Sequence, residues 1–407
     1  MSFDYFCIFA GGGIRGISYL GALQAFEELN INITGMSGSS VGAIFASLCA
    51  VGFTYDEIKE IAFNTNYELF SDLNFKLGKN FGICKGDSFL SYFRELIEKK
   101  YYGEQYDPRE NSPVRFKDVD KELVIIATNL SNAACKVYSK IETPDEEIAQ
   151  AVRASISIPG FFKPVWNNDE CLIDGDVIGN FPCWRFDNYL ISNTKSGVIE
   201  LRLENLEKPR KISNPIDYFL AVLDSAYNVS SDVLTDLYGQ NNKYDVVRID
   251  VGNTNIIDFN LSAEDREKLI EKGFCSVKRF FTTTLIEKKK RILDIYIYLE
   301  KFHNALLNEI SAGKITKARI ALGDLALFVY DNQETISKDI LLQINKIREI
   351  FQKNLKTVML LNITTLKNKE QIIKTINSSL KSIDDEIENL KYYLANNESL
   401  EKDICSF

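Results

Sequence analysis

A serine at the centre of a G-x-S-x-G pattern is the first group in this sequence equipped for covalent chemistry. The pattern is Gly38–Gly42, with Ser40 at its centre, and a chain of this length also produces such a pentapeptide by chance. Here an apolar, strand-like run, Ile31–Met36, precedes it, and small apolar residues typical of a buried helix follow it. A sharp strand-to-helix turn exposes the serine hydroxyl, while flanking glycines let strand and helix approach closely. This context predicts a nucleophile elbow with Ser40 as the nucleophile.

The base that takes the serine proton is predicted to be a carboxylate. The sequence holds a single histidine, His303, and it lies in a helical region far from the elbow. A lone histidine on an amphipathic helix is more often structural than part of a triad. Partial burial raises the pKa of an aspartate enough for it to act as a base. Asp174, which ends a short apolar strand and precedes Gly175, is the candidate, and an Asx turn without a chemical role is the alternative.

Consecutive glycines, Gly11, Gly12 and Gly13, follow the first predicted strand and open a helix. Such a turn can aim backbone N–H groups and the amino end of a helix at a developing oxyanion. A nucleotide phosphate is the alternative ligand. The turn lacks both the G-x-G-x-x-G order and the Lys-Ser/Thr of a P-loop, which weighs against nucleotide binding.

The elements that would carry these groups alternate between strand and helix. A strand near Phe3–Ala10, the glycine turn and a helix over Ile17–Asn30 are followed by the elbow with its own strand and helix. Two such units predict an α/β fold with a doubly wound, mostly parallel sheet flanked by helices, whose functional groups gather at the carboxyl ends of the strands. Further strands are predicted at Leu123–Thr128, Val198–Leu203 and Tyr244–Val251, with helices over residues 54–66 and 86–100 and near Pro215–Leu237.

From about residue 286 the pattern changes to long amphipathic helices without strands. Apolar residues recur at a spacing of three and four, and short breaks near Ala312–Lys314, Asp331–Asn332 and Asn362 separate the helices. The spacing predicts an all-α bundle of four antiparallel helices. We therefore expect two domains, residues 1–285 and residues 286–407. An intramolecular bundle and a partner-binding or self-associating surface are both compatible with this pattern.

Composition excludes several classes of protein. A net charge of -9 argues against a nucleic-acid binder, which needs basic surface for phosphate contacts. The eight cysteines are scattered without a C-x-x-C pair, so no metal site is expected. No signal peptide is evident, and no run reaches the roughly 18 apolar residues of a membrane span. We expect a cytoplasmic protein that contacts membranes peripherally.

Four motifs in order resemble those of the patatin-like phospholipases. They are the glycine turn Gly11–Gly16, the elbow Gly38–Gly42, the block Ala154–Val165 and the segment Asp174–Asp176, and the resemblance covers about residues 3–255. It implies a Ser-Asp dyad, with Ser40 as nucleophile and Asp174 as base. Gly11, Gly12 and Gly13 with Arg15 would then form the oxyanion site. Two residues depart from the family pattern: Ala10 replaces an acidic residue, and Asp176 replaces a small one.

The resemblance implies a serine acyl hydrolase that cleaves fatty-acyl esters of membrane phospholipids or lysophospholipids and needs no metal or cofactor. It extends to bacterial patatin-like effectors with a C-terminal helical region, including antiphage-defence phospholipases. An activating ligand or protein partner at residues 286–407, and a homo-oligomer, would fit such an effector. The loop Tyr67–Lys85 is either a packed connection or a cap over the site. The rival hypothesis is a non-catalytic interaction protein whose patatin-like part is a scaffold.

Overall fold

The computed structural model describes residues 4–65, 81–177, 196–205, 244–254, 260–332, 340–350 and 369–397, with a few single residues between these ranges. The chain divides into two compact units, Met1–Gly239 with Lys243–Lys278, and Gln240–Asn242 with Arg279–Phe407. The division falls a little before the predicted boundary at residue 285. Most of the loop Tyr67–Lys85 and most of the predicted helix near Pro215–Leu237 lie outside the described residues.

A mixed sheet forms the centre of the first unit. The described strands are β1 (Asp4–Phe9), β2 (Asn32–Ser39), β3 (Gly82–Cys84), β4 (Glu122–Asn129), β5 (Ala134–Ser139), β6 (Gly160–Phe162), β7 (Val165–Asn167), β8 (Glu170–Ile173), β9 (Ser196–Glu204) and β10 (Tyr244–Asp250). The main sheet has the order β10-β9-β1-β2-β4-β8-β7, with β5 also paired to β4. The pairs from β10 to β4 are parallel, whereas β5, β8 and β7 join antiparallel. The predicted doubly wound, mostly parallel sheet is confirmed, and the antiparallel edge is an addition to it.

Helices flank this sheet. They are α1 (Ser18–Glu28), α2 (Val41–Val51), α3 (Tyr55–Asn64), α4 (Asp87–Tyr102), α5 (Ile148–Ser155) and α6 (Ala263–Arg279), with a 3-10 turn at Gly13–Ile17. The α2 helix is almost entirely buried, which explains its small apolar residues. The α3 helix begins at a capping box, in which Thr54 and Glu57 satisfy each other's backbone N–H groups.

The strands β1 and β4 are buried along nearly their whole length, as the continuous apolar runs predict for central strands of a sheet covered on both faces. Phe6, Ile8, Val124, Ile126 and Val198 pack together in one apolar cluster. The same strands end at the glycine turn and next to the elbow. The core therefore holds in place the segments that carry the candidate groups.

The second unit is helical throughout its described part. It contains a π-helical turn (Phe280–Thr284), α7 (Leu285–Ser311), α8 (Ile315–Asn332), helical residues 340–350 and α9 (Lys369–Asn397). Isoleucines and leucines from all four of these helices share one apolar core. The predicted C-terminal helical region is confirmed, and α7 ends at the predicted break. Among the described residues no helix is both long and apolar enough to cross a membrane.

His303 lies inside the core of this second unit. Its ring is fully buried, with Nδ1 2.9 Å from the Leu299 carbonyl oxygen and Nε2 3.0 Å from the Ser379 hydroxyl. Burial lowers the pKa of the imidazole, so the ring is held in its neutral form. These contacts account for His303 without a catalytic role.

Candidate active site

The elbow has the strained backbone that its sequence pattern predicts. The strand β2 ends at Ser39, α2 begins at Val41, and Ser40 between them has φ 51° and ψ −127°. A side chain at Gly38 would collide with the backbone of Gly42, and one at Gly42 would collide with the Phe9 carbonyl at the end of β1, so neither position accepts a side chain. A non-glycine residue at positive φ is costly and persists only where the surroundings enforce it.

Ser155 is one of the groups that enforce it. Its hydroxyl accepts a hydrogen bond from the Ser40 backbone N–H at 3.0 Å and donates one to the Ile126 carbonyl oxygen at 2.6 Å. Ser155 is fully buried at the end of α5 and therefore connects the nucleophile to the central strand β4. The sequence singled out the block that contains Ser155 but gave no role to its hydroxyl.

Strand register brings Asp174 to the level of the nucleophile. Ser39 pairs with Ile126 and Ile173 pairs with Thr128 along the same edge of β4, because β5 occupies its other edge at both positions. The next residue of each of these two strands, Ser40 and Asp174, is thus level with the same position of β4, and the two residues meet on the same side of it. Gly175 lies so close to the Ser39 side chain that a Cβ at this position would be 2.9 Å from the Ser39 Cβ. The glycine after Asp174 therefore allows this segment to approach the elbow.

The Asp174 carboxyl is buried, and its two oxygens differ. Oδ1 accepts the Asp176 backbone N–H at 2.9 Å, which is the Asx turn considered from the sequence. Oδ2 is buried and accepts no hydrogen bond from any described residue. The Asp174 N–H donates to the Ser157 carbonyl oxygen at 3.0 Å and fixes the backbone. The Asx turn and a chemical role are thus compatible, because the turn occupies only one oxygen.

Burial and the neighbouring Asp176 carboxylate, in that order, raise the pKa of Asp174 well above its usual value. The Asp176 N–H and the Ser40 hydroxyl oppose this shift, because both stabilise the ionised form. Ser40 is therefore near enough to act on Asp174, although the two side chains do not form a hydrogen bond of standard geometry. Hydrogen bonds of this kind often tighten only when substrate binds.

The glycine turn lies beside the elbow because Phe9, at the end of β1, pairs with Gly38. Gly12 and Gly13 have φ 150° and 60°, where a side chain would be strained. Within the described residues the N–H groups of Gly11, Gly12 and Gly13 donate no hydrogen bond, which leaves them available to an anion. The Arg15 guanidinium is buried, and its Nε donates to the Gly12 carbonyl oxygen at 3.0 Å. Arg15 thus supports the shape of the turn.

Arg153 holds together the segments that precede Asp174 in the site. Its buried guanidinium donates to the carbonyl oxygens of Lys85, Gly86 and Lys163 and to the Ser157 hydroxyl, over distances of 2.5–3.1 Å. Ser157 is the residue whose carbonyl holds the Asp174 backbone. Nothing in the local sequence around Arg153 indicated this role, because the acceptors come from separate segments.

An apolar cavity of about 150 Å³ adjoins the Ser40 side chain. Residues of α2, α3 and α4 line it together with Ile158 and with Phe161 of β6. Its polar side chains are Ser40 and the pair Thr65 and Tyr92, whose hydroxyl oxygens are 2.9 Å apart. A cavity of this kind suits a hydrocarbon chain attached to a group that reaches the serine.

Sequence comparisons identify the family. A family profile described as patatin-like phospholipase matches residues 8–187. Uncharacterized protein R571 of Acanthamoeba polyphaga mimivirus is 31% identical over 280 residues, which cover 66% of this chain and 91% of the viral protein. Probable lipid hydrolase 463L of Invertebrate iridescent virus 6 is 26% identical over 43% of this chain and 60% of its own length.

Among solved structures, VipD from Legionella pneumophila is similar in fold. It aligns with a TM-score of 0.52 at 15% identity and covers 99% of this chain and 92% of VipD. The matched profile contains the glycine turn, the elbow and Asp174, the three segments that the fold brings to one end of the sheet. The chain belongs to the patatin-like phospholipase family of lipid hydrolases.

Proposed function

We propose that this protein hydrolyses fatty-acyl esters of membrane phospholipids or lysophospholipids with a dyad formed by Ser40 and Asp174. The observation that carries the proposal is the combination of a strained serine and an unpartnered, buried carboxylate oxygen beside an apolar cavity. A carboxylate with a raised pKa can accept a serine proton near neutral pH. The cavity would hold the acyl chain, with its ester at Ser40.

The proposed reaction follows two balanced steps. The Ser40 hydroxyl transfers its proton to Asp174 while the oxygen attacks the ester carbonyl, and the resulting oxyanion is held by the N–H groups of Gly11–Gly13. The C–O bond to the glycerol side then breaks, and Asp174 returns the proton to the leaving alcohol. In the second step Asp174 takes a proton from water while the water oxygen attacks the acyl carbonyl; the C–O bond to Ser40 then breaks, and Asp174 returns the proton to the Ser40 oxygen as the fatty acid leaves.

Release of fatty acid from mixed phospholipid vesicles tests the dyad. The parent chain should release fatty acid, whereas Ser40→Ala and Asp174→Asn should each reduce release by at least about a hundredfold. Ser47→Ala is the matched serine control, because the Ser47 hydroxyl is buried but bonds only to the Ala43 carbonyl of its own helix. Asp145→Asn, at an exposed surface pair with Lys117, is the matched carboxylate control.

A serine-directed phosphonate gives a second measurement that does not depend on lipid presentation. The phosphorus should attach to Ser40 in the parent and in both controls, and the modified peptide is identified by mass spectrometry. Fatty-acid release that persists in Ser40→Ala would rule out the proposed nucleophile. Release that is lost in Ser40→Ala but persists in Asp174→Asn would leave Ser40 as nucleophile but require another base.

We propose a regulatory or partner-binding role for residues 286–407. The basis is that the described helices of this region form a separate compact unit with its own core. A chain that ends before residue 286 distinguishes the roles when its fatty-acid release is compared with that of the full chain. Higher release would indicate that the helices inhibit the hydrolase. Lost release from a folded truncated chain would indicate that they recruit it to membranes or to an activator.

An antiphage-defence role also belongs among the proposals. Its basis is the resemblance of the catalytic motifs and the C-terminal helical region to bacterial patatin-like effectors. Bacteria that express the parent chain should form fewer phage plaques than bacteria that express Ser40→Ala. Equal plaque numbers for both would argue against this role without affecting the proposed chemistry.

A further inference from the structure

Asp176 lies where three parts of the site meet. Its Oδ1 accepts a hydrogen bond from the hydroxyl of Ser39, the residue before the nucleophile. Its backbone N–H donates to Asp174 Oδ1 at 2.9 Å. Its carboxyl group also lies against Gly11, since a Cβ built on Gly11 would overlap Asp176 Oδ2, and the three heavy atoms nearest to that Cβ all belong to the Asp176 carboxyl. One residue therefore contacts the elbow, the candidate base and the glycine turn.

Resting on the dyad proposed above, we propose that Asp176 is a positioning residue that fixes the elbow, Asp174 and the glycine turn relative to one another. Each contact acts on a residue adjacent to a reacting group. Ser39 precedes the nucleophile, and the Asp176 N–H orients the carboxyl of Asp174. A hydrogen bond to a carboxylate is stronger than one between neutral groups, which suits Asp176 to hold the strained elbow.

The contact between Asp176 and Gly11 explains why residue 11 is a glycine. Unlike Gly12 and Gly13, Gly11 is not among the residues with positive φ, so its backbone conformation would accept alanine. What excludes a side chain there is the Asp176 carboxyl. The glycine turn and Asp176 are thus sterically matched.

The charge of Asp176 also affects the candidate base. Among the described residues it is the charged neighbour that raises the pKa of Asp174, after the larger effect of burial. Among the described residues Tyr19 on α1 also interacts with the Asp176 charge, and Arg15 in the 3-10 turn and Glu200 on β9 act in turn on Tyr19. Burial, Asp176 and Glu200 raise the pKa of the Tyr19 phenol while Arg15 opposes them, so Tyr19 stays neutral. Because Asp174 must be ionised to accept a proton, activity is lost as pH falls through its raised pKa.

The pH dependence of kcat/KM for fatty-acid release tests this effect. Asp176→Asn keeps the size of the side chain and an oxygen for the Ser39 hydroxyl but removes the charge. Its acidic limb should move to lower pH by about one unit, because Asp174 then ionises more easily. Asp145→Asn removes a carboxylate at the surface and should leave the limb where it is in the parent. A merely structural role for Asp176 would change the height of the profile without moving this limb.

A thermal-unfolding comparison tests the steric match without relying on activity. Gly11→Ala alone should lower the unfolding midpoint, and Asp176→Gly in the same chain should restore much of the loss. Equal losses with and without Asp176→Gly, or an acidic limb that does not move in Asp176→Asn, would overturn the proposal. If neither the parent chain nor the chain that ends before residue 286 releases fatty acid from vesicles, the proposed function fails, whereas the thermal comparison still decides whether Asp176 occupies the space beside Gly11.

Discussion

At the scale of single residues, the ionisation of Asp174 that the proposed reaction requires lowers the stability of the fold. The carboxyl is buried, and its pKa is raised above that of the unfolded chain. Its contribution to stability is therefore fully present below the unfolded pKa of about 4 and is lost as pH rises through the folded value. An ionised Asp174 is what the proposed reaction needs, and it is the form that the fold disfavours.

We predict that Asp174→Asn abolishes fatty-acid release but raises the unfolding midpoint at pH 8. Asparagine retains an oxygen for the Asp176 N–H while removing the buried charge. Each unit of raised pKa corresponds to about 1.4 kcal/mol, and a kcal/mol shifts the midpoint of a unit this size by roughly 2–4 °C. The gain should shrink as the pH of calorimetry approaches 4. Lys117 lowers the pKa of the Asp145 carboxyl, so the control Asp145→Asn should show no gain in the unfolding midpoint at pH 8. A lower midpoint in Asp174→Asn than in the parent would contradict the prediction.

Ser155 provides a second prediction at this scale. Ser155→Ala leaves the buried Ser40 N–H without its acceptor, which costs about 1–3 kcal/mol and loosens the elbow. We expect kcat for fatty-acid release to fall at least about tenfold with little change in KM, since the acyl cavity is untouched. Ser155→Thr, which keeps a hydroxyl, should recover most of kcat. An Ala variant with unchanged kcat would show that the elbow holds without this contact.

Residues whose chemistry depends on local spacing were predictable, and residues that act across the fold were not. The glycines next to Ser40 and Asp174, and the strand-like runs that precede them, indicated both residues as candidates. Ser155 is 115 positions from Ser40, and Asp176 is 137 positions from Ser39, so no sequence window contains both partners. Arg153 has acceptors in three separate segments, and only the fold reveals them.

At the scale of elements, the same distinction holds. Continuous apolar runs identified β1, β4 and β9 because central strands bury both faces. The edge strands β5 and β7 were not predicted, since they are short and carry polar or exposed residues that resemble loops. The cavity was not predicted either, because α2, α3 and α4 line it from different stretches of the chain.

The cavity yields a prediction about substrate length. Ala62 on α3 lines it and is nearly buried, so Ala62→Leu places extra methyl groups in the space proposed for the acyl chain. We expect release of long-chain fatty acids to fall at least about tenfold, while a short ester such as a butyrate is cleaved at nearly the parent rate. Ala263→Leu adds the same groups at an exposed position of α6 and should change neither. Equal losses on both substrates would mean that this cavity is not the acyl site.

At the scale of the whole molecule, the chain consists of two compact units with differently built cores. The pattern change near residue 286 predicted two domains, whereas the contacts divide the chain between Lys278 and Arg279. The discrepancy has a physical reason. Helix continues without a break from α6 through the π-helical turn into α7, so no turn in the sequence marks the point where the packing partners change. A chain with two units also has two unfolding transitions to follow.

We predict that acidification moves these two transitions in opposite directions. In the first unit the contribution of Asp174 grows as pH falls, because protonation removes a buried charge. In the second unit His303 has a lowered pKa, so its contribution is present above the unfolded value of about 6.5 and is lost as pH falls through the folded value. Calorimetry between pH 7.5 and pH 5 should therefore show the second transition moving down by a few degrees relative to the first.

The variant pair His303→Leu with Ser379→Ala isolates this effect. Replacing both side chains of the His303–Ser379 hydrogen bond by apolar groups leaves neither partner unpaired, so the second unit should remain folded. Its transition should then be nearly independent of pH in this window, while the first transition keeps the behaviour of the parent. A second transition that still falls with pH in the double variant would assign the acid sensitivity to other groups. A parent chain whose two transitions move together would contradict the independence of the units, because each titrating group would then act on a single cooperative fold.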